Sequence, residues 1–183
     1  IPGSKAVLKS IDEAKAVAKE VGYPLLLKAV AGGGGRGMRG VESEEHLGAA
    51  FMEASAEAES NFADGRLYAE RLITEGRHVE VQIIADNYGN VLHLGERECS
   101  IQRRHQKVLE EAPSPALTPE SRESLLTKVS SAVRKVGYRG AGTVEMLVDQ
   151  HGDAWFMEMN TRLQVEHPVT EVTTGLDLVE LQL

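Results

Sequence analysis

Three stretches of the sequence carry residue types that could act on a phosphorylated substrate. The first is Lys28 with the run Ala31-Gly32-Gly33-Gly34-Gly35-Arg36-Gly37-Met38. An extended segment ending in Lys and running into a Gly-rich loop can bring backbone N–H groups onto phosphate oxygens, with the ammonium adding a point charge. The run lacks the Gly-Lys-Ser/Thr ending of a P-loop and does not cleanly meet G-x-G-x-x-G. It reads as a phosphate loop of another type, or, on its residues alone, as a flexible surface loop. The second stretch holds Glu145 in Thr143–Leu147 and Glu158 and Asn160 in Phe156–Asn160. Carboxylates among Met, Phe and Val on strands are costly to bury unpaired. A hard divalent cation, Mg²⁺ or Mn²⁺, would resolve that cost; a solvent-facing acidic row would avoid it. The third is Thr161-Arg162-Leu163-Gln164-Val165-Glu166-His167-Pro168. There Arg162 could grip a planar oxyanion at two points and Glu166 could serve as a general base.

Weaker signals lie between these. Gln102-Arg103-Arg104-His105-Gln106-Lys107 is the one basic concentration, suited to an anion or simply to solvent. Glu70 interrupts the apolar strand pattern Leu67–Ile73, which could offer backbone groups to a nucleobase. His78, at a strand start, and Cys99 both read as structural.

These residues need elements to hold them. Ser10 with Glu13 forms a capping box ahead of a helix whose apolar face is Ile11, Ala14, Val17, Ala18 and Val21. Pro24–Val30 reads as a buried strand, and Ser43–Ser60 as a helix opened by Ser43. Leu67–Ile73 and His78–Ala85 read as strands. Asp86–Asn90 is a turn, and Val91–Glu96 returns as hairpin partner, followed by a polar stretch. Thr118 caps a helix with Pro119 at its first position, running to about Val136. Gly142–Asp149 and Trp155–Asn160 form a second hairpin, in which Glu145 and Glu158 can stand on the same sheet face. Antiparallel pairs dominate, so the fold class is α+β and not a doubly wound parallel sheet.

Composition narrows the function. The 183 residues carry a formal net charge of -8, with Lys+Arg 20 against Asp+Glu 28. That disfavours a nucleic-acid-coating protein. No apolar run approaches the ~18–20 residues of a membrane span, and no signal peptide is visible. A single cysteine permits no intramolecular disulfide and suits a reducing compartment. The start at Ile1 and the end at Leu183, inside a helical pattern, read as a piece of a longer protein.

Several of these stretches are similar to the ATP-grasp core of biotin carboxylases. The matching segments are Tyr23–Lys28 with Gly32–Met38, Arg77–Gln82, Glu96–Pro113, Gly140–Glu145 and Glu158–Glu171. The Gly-rich loop and Glu-Met-Asn also occur in carbamoyl phosphate synthetases. Arg-His-Gln-Lys and Gln-Val-Glu-His-Pro-Val-Thr-Glu are the carboxylase-like parts. The resemblance implies a partial ATP-grasp fold, with a lid subdomain at 1–73 and an antiparallel-sheet core at 74–183. It implies that Lys28, Gly34 and Gly35 hold ATP phosphates, and that Glu70, Arg71, Leu72 and Ile73 form an adenine-side hinge. His78, Gln102 and His105 would line the nucleotide. Glu145, Glu158 and Asn160 would bind Mg²⁺ or Mn²⁺. Lys107, Arg162, Gln164 and Val165 would surround bicarbonate, with Lys107, Arg162 and Glu166 as the catalytic set.

The activity implied is ligation: bicarbonate, activated by ATP as carboxyphosphate, carboxylates biotin on a carrier protein. The partners implied are a biotin carboxyl carrier protein or domain, a carboxyltransferase part, and a second copy bound through segments outside this one. The location implied is the cytoplasm, or the mitochondrial matrix in a eukaryote. Position 71 is Arg where many relatives have Lys. The isolated segment is not expected to turn over. The rival readings are a carbamoyl phosphate synthetase-type ligase and a non-catalytic nucleotide-binding module.

Overall fold

The computed structural model describes every residue except 34, 35 and 105, and the chain divides into two compact units, Ile1–Thr74 and Glu75–Leu183. In the first unit, helix α1 (Ile11–Val21) begins after Ser10, whose hydroxyl accepts from the Glu13 N–H at 3.3 Å. The Glu13 carboxylate accepts from the Lys9 N–H at 2.8 Å, one residue earlier than a strict capping box. Strands β1 (Leu25–Ala29) and β2 (Met38–Val41), helix α2 (Glu44–Phe62) and strand β3 (Leu67–Arg71) complete it. The sheet order is β2-β1-β3, all antiparallel. Ser43 precedes α2 but makes no capping hydrogen bond; its hydroxyl meets His46 Nδ1 at 3.1 Å instead. Along β1 burial alternates, so Leu25, Leu27 and Ala29 enter the core with Leu67 and Ala69. The pleat therefore turns Lys28 to the opposite face. Helix α2 presents Leu47, Ala50, Ala54 and Ala58 to that core, and small side chains let it lie close to the sheet.

The second unit is one antiparallel sheet of order β6-β5-β4-β7-β8 with helix α3 (Pro119–Lys135). The strands are β4 (Arg77–Ala85), β5 (Val91–Arg103), β6 (Gln106–Glu111), β7 (Gly140–Val148) and β8 (Ala154–Asn160). Short helices α4 (His167–Thr174) and α5 (Leu178–Gln182) follow. Val79, Val81, Ile83, Val144, Met146 and Val148 share a core with Leu125, Leu126, Val129 and Val133 of α3. Strand alternation then forces His78, Glu80, Gln82, Thr143 and Glu145 onto the other face.

One expectation needs correction here. The returning strand does not end at Glu96: β5 runs seven residues further, through the polar stretch, and pairs with β6. On β4, residues 79–83 are all buried, and Glu80 and Gln82 are fully so. No helix among the described residues is long and apolar enough to cross a membrane.

Candidate functional site

In the first unit, Lys28 Nζ donates to Glu70 Oε2 at 3.2 Å and lies 5.2 Å from the centre of the Tyr68 ring. Burial alone would lower the Lys28 pKa, but Tyr68 and Glu70 raise it above its ordinary value, so the ammonium stays charged. The Arg71 N–H donates to Pro2 O at 2.8 Å and the Leu72 N–H to Pro24 O at 2.9 Å. Neither N–H is therefore free for a nucleobase edge. The Arg71 side chain reaches back to Val21 O at 3.2 Å, and Ile73 lies just past β3, half-buried. Gly34 and Gly35 lie outside the described residues.

In the second unit the polar sheet face carries a single connected cluster. Register sets Glu80 opposite both Arg97 and Glu145, and Glu145 opposite Glu158. Between Glu145 and Met146 the β7–β8 register shifts: Met146 pairs with Phe156, and Met157 is the extra residue. That bulge keeps Glu158 and Asn160 on the Glu145 face while the strand continues. Irregularities on both sides of Ile101 likewise put Gln102 opposite Lys107.

Lys107 sits where three carboxylates converge. Its Nζ donates to Glu145 Oε1 at 2.9 Å and makes short contacts with Glu80 and Glu166. An ammonium has three N–H donors, and each carboxylate takes one. Burial alone would lower the Lys107 pKa, but the Glu80 charge and the three carboxylate hydrogen bonds push it well above the ordinary lysine value.

Burial would raise the Glu145 carboxyl, but His78 and Lys107 bring it down to about 2. His78 Nε2 lies 3.2 Å from Glu145 Oε2, while its Nδ1 is 3.0 Å from Gln102 Nε2. Asn160 Nδ2 and Gln164 Nε2 also donate to Glu145 Oε1, at 3.0 and 2.9 Å. Glu166 precedes α4 without capping it; its carboxylate turns to Lys107, which outweighs burial and lowers its pKa.

The burial argument for a cation between Glu145 and Glu158 is corrected by this arrangement. Glu145 is buried but already paired, and Glu158 is exposed and so carries no burial cost. The donor set nonetheless suits a hard cation. Oε1 of Glu145 accepts from three donors and Oε2 faces His78 Nε2 at 3.2 Å, while the Glu158 carboxylate and the Asn160 carbonyl oxygen remain as oxygen ligands. A second grouping, His78, Glu80 and Glu145, offers one ligand atom each within 4.8 Å, but Lys107 already bonds both of its carboxylates. Arg162 is exposed and donates only to Leu163 O, at 3.1 Å, among the described residues. Val165 is 91% exposed, whereas Gln164 is 6%.

The basic run does not act as a unit. Arg103 and Arg104 are solvent-exposed, Lys107 enters the cluster, and His105 lies outside the described residues. Cys99 is fully buried, and burial with the Glu80 charge raises its thiol pKa, as a structural cysteine requires.

Sequence reasoning gave no role to Glu80, Gln82, Arg97 or Thr170. Arg97 is fully buried and donates to Glu80 (2.7 Å), Gln82 (2.8 Å) and Thr170 (2.7 Å). The signal for Glu80 and Gln82 was present, since both interrupt apolar residues in Val79–Ile83 as Glu145 does in its strand. Arg97, between Glu96 and Glu98, gave none.

Residues 1–183 match the family described as carbamoyl-phosphate synthase L chain, ATP binding domain. The chain belongs to this family. The chain is 52% identical over all 183 residues to the biotin carboxylase of Nostoc sp.. It is 53% identical to the 2-oxoglutarate carboxylase small subunit of Hydrogenobacter thermophilus. It spans 41% and 39% of those proteins. The whole chain superposes on a biotin carboxylase complex from Campylobacter jejuni with a TM-score of 0.95 at 52% identity, covering 41% of that chain. It also superposes on the biotin carboxylase domain dimer of the H. thermophilus 2-oxoglutarate carboxylase, solved with MgADP, ADP and bicarbonate, with a TM-score of 0.94 at 53% identity, covering 40% of that chain. The α+β ATP-grasp fold and the likeness to biotin carboxylases, both expected from the sequence, are borne out.

Proposed function

We propose that this chain is part of a biotin carboxylase. The parent enzyme uses ATP to activate bicarbonate as carboxyphosphate and carboxylates biotin on a carrier protein. The observation that carries the reading is the Lys107 ammonium among Glu80, Glu145 and Glu166, with Gln164 donating to the same Glu145 oxygen. A small planar anion needs charged donors in a partly dried site, with a carboxylate base at hand.

Lys107 and Gln164 would hold bicarbonate, and Val165 would border it. Glu166, released from Lys107, would take the bicarbonate proton, so that a bicarbonate oxygen would attack the terminal phosphorus of ATP, displacing ADP and giving carboxyphosphate. Lys28 would neutralise phosphate charge, with Gly34 and Gly35 supplying backbone donors. Glu70, Arg71, Leu72 and Ile73 would border the adenine, and His78, Gln102 and His105 the rest of the nucleotide. Glu145, Glu158 and Asn160 would hold Mg²⁺ or Mn²⁺, which when bound supplies charge neutralisation at the phosphates. Arg162 would stabilise charge developing on biotin. Catalysis is then mostly positioning and electrostatics.

A biotin carboxyl carrier protein or domain, a carboxyltransferase part and a second copy are the partners this reading requires. The subdomain at 1–73 would serve as lid and 74–183 as core. The family description favours one rival, ammonia-fed carbamoyl phosphate synthesis. Bicarbonate-dependent Mg-ATP cleavage by the full-length parent decides between them. Stimulation by biotin alone supports the carboxylase reading, and stimulation by ammonium alone overturns it.

A further inference from the structure

The Lys107 cluster raises a question of access. All three ammonium donors are taken by carboxylates, so an incoming anion can reach Lys107 only if one carboxylate lets go. Glu80 is fully buried and held by Arg97 Nε at 2.7 Å. Glu145 is held by Asn160 and Gln164 and faced by His78. Glu166 has no second side-chain donor among the described residues.

Besides Glu80, Arg97 reaches three further side chains around the cluster. Nη1 donates to Gln82 Oε1 at 2.8 Å and to Thr170 Oγ1, in α4, at 2.7 Å. Nη2 approaches Gln164 Oε1 at 3.4 Å. A guanidinium only donates and an ionised carboxylate only accepts. With Arg97 on one side and Glu145 on the other, the Gln164 carboxamide has one allowed orientation: oxygen to Arg97, nitrogen to Glu145. The opposite orientation would set NH₂ against guanidinium and oxygen against carboxylate. A buried guanidinium is suited to this role because its charge persists and its fork fixes several acceptors at once.

We propose that Arg97 is a positioning residue of the anion site, pinning Glu80 and Gln164 so that Glu166 is the carboxylate that yields Lys107 to bicarbonate. This rests on the carboxylase reading for the identity of the anion, but not for the geometry. Without Arg97, Glu80 loses its fixed partner and competes for Lys107, and Gln164 loses the contact that orients it. Bicarbonate binding suffers, while ATP affinity is spared.

The test uses the full-length parent with Arg97→Met and Arg97→Lys. Steady-state ATP cleavage is measured against bicarbonate and against ATP, and the crystal structure of Arg97→Met is determined. Arg97→Met is expected to raise KM for bicarbonate about tenfold or more while KM for ATP stays within about twofold. Arg97→Lys should recover only part of this, since one ammonium cannot span Glu80, Gln82, Thr170 and Gln164. In the Arg97→Met crystal, Glu80 or Gln164 should have turned. Equal rises in both KM values, or unchanged Glu80–Lys107 and Gln164–Glu145 contacts, overturn the proposal. If Arg97→Met does not fold, the KM split in Arg97→Lys decides alone: a selective rise for bicarbonate supports it and a wild-type KM refutes it. A wild-type parent with no bicarbonate dependence refutes the carboxylase reading instead, and the crystal still decides the positioning role.

Discussion

Replacing Lys107 with Met should destabilise the second unit in a way that depends on pH with a definite sign. The substitution keeps most of the side-chain volume and removes the cation shared by Glu80, Glu145 and Glu166, whose side chains are 0%, 7% and 9% exposed. Removing one partner of a buried pair costs about 3–5 kcal/mol. Arg97 still neutralises Glu80 and His78 still faces Glu145, so the low end, about 3 kcal/mol at pH 7.5, is expected.

In the wild type the Glu145 carboxyl titrates at about 2, below its ordinary value of 4.5. A group whose folded pKa is depressed contributes stability that is present above its unfolded pKa and is lost as pH falls through the folded value. That contribution is at most about 3 kcal/mol, and less once solvent at the open side of the site is allowed for. In Lys107→Met, Glu145 and Glu166 lose the ammonium that holds their pKa down while their burial remains, so protonation costs the folded variant less than it costs the wild type. The gap between the two should therefore be widest at neutral pH and narrow towards pH 4. Urea unfolding at pH 7.5 and pH 4, followed through Trp155 fluorescence, measures it. A gap below about 0.5 kcal/mol at pH 7.5, or one that widens on acidification, would refute the three-carboxylate account.

Other outcomes are expected. Glu158→Gln in the parent should abolish metal-dependent ATP cleavage and leave stability within about 0.5 kcal/mol, because Glu158 is exposed; near-normal turnover would remove it from the metal site. Arg162→Ala should impair biotin carboxylation more than ATP binding, and equal loss of both would assign the guanidinium to the nucleotide. Gly142→Ala should destabilise by about 1–3 kcal/mol, since a Cβ there would meet the Tyr138 ring at 2.9 Å. The Tyr138 hydroxyl is tied to Ala141 O at 2.8 Å, which limits its retreat; a neutral result in thermal unfolding would show that the ring moves aside.

Much of this protein is determined locally. Cap and proline signals at Ser10, Thr118 and Pro119 place α1 and α3, because orphan N–H groups need partners within a few residues of themselves. Two-residue alternation places Lys28 opposite its own core and puts Glu158 and Asn160 on one face, since strand geometry alone sets the direction of a side chain. The likeness to biotin carboxylases was likewise legible in short motifs, from Arg-His-Gln-Lys to Gln-Val-Glu-His. What those motifs could not contain was the pairing across strands. Ser43 looks like a cap but spends its hydroxyl on His46, and Glu166 precedes a helix yet turns its carboxylate to a lysine 59 residues away. Whether the polar face of β4 is wet or dry depends on what lies over it. Arg97, Lys107 and Gln164 come from distant points in the chain and reach Glu80 and Glu145 only when five strands are in register. Charges are compensated by whatever stands next to them in space. The charge balance of the site was therefore decided by tertiary structure, while the sequence alone had already placed most of the residues that carry it.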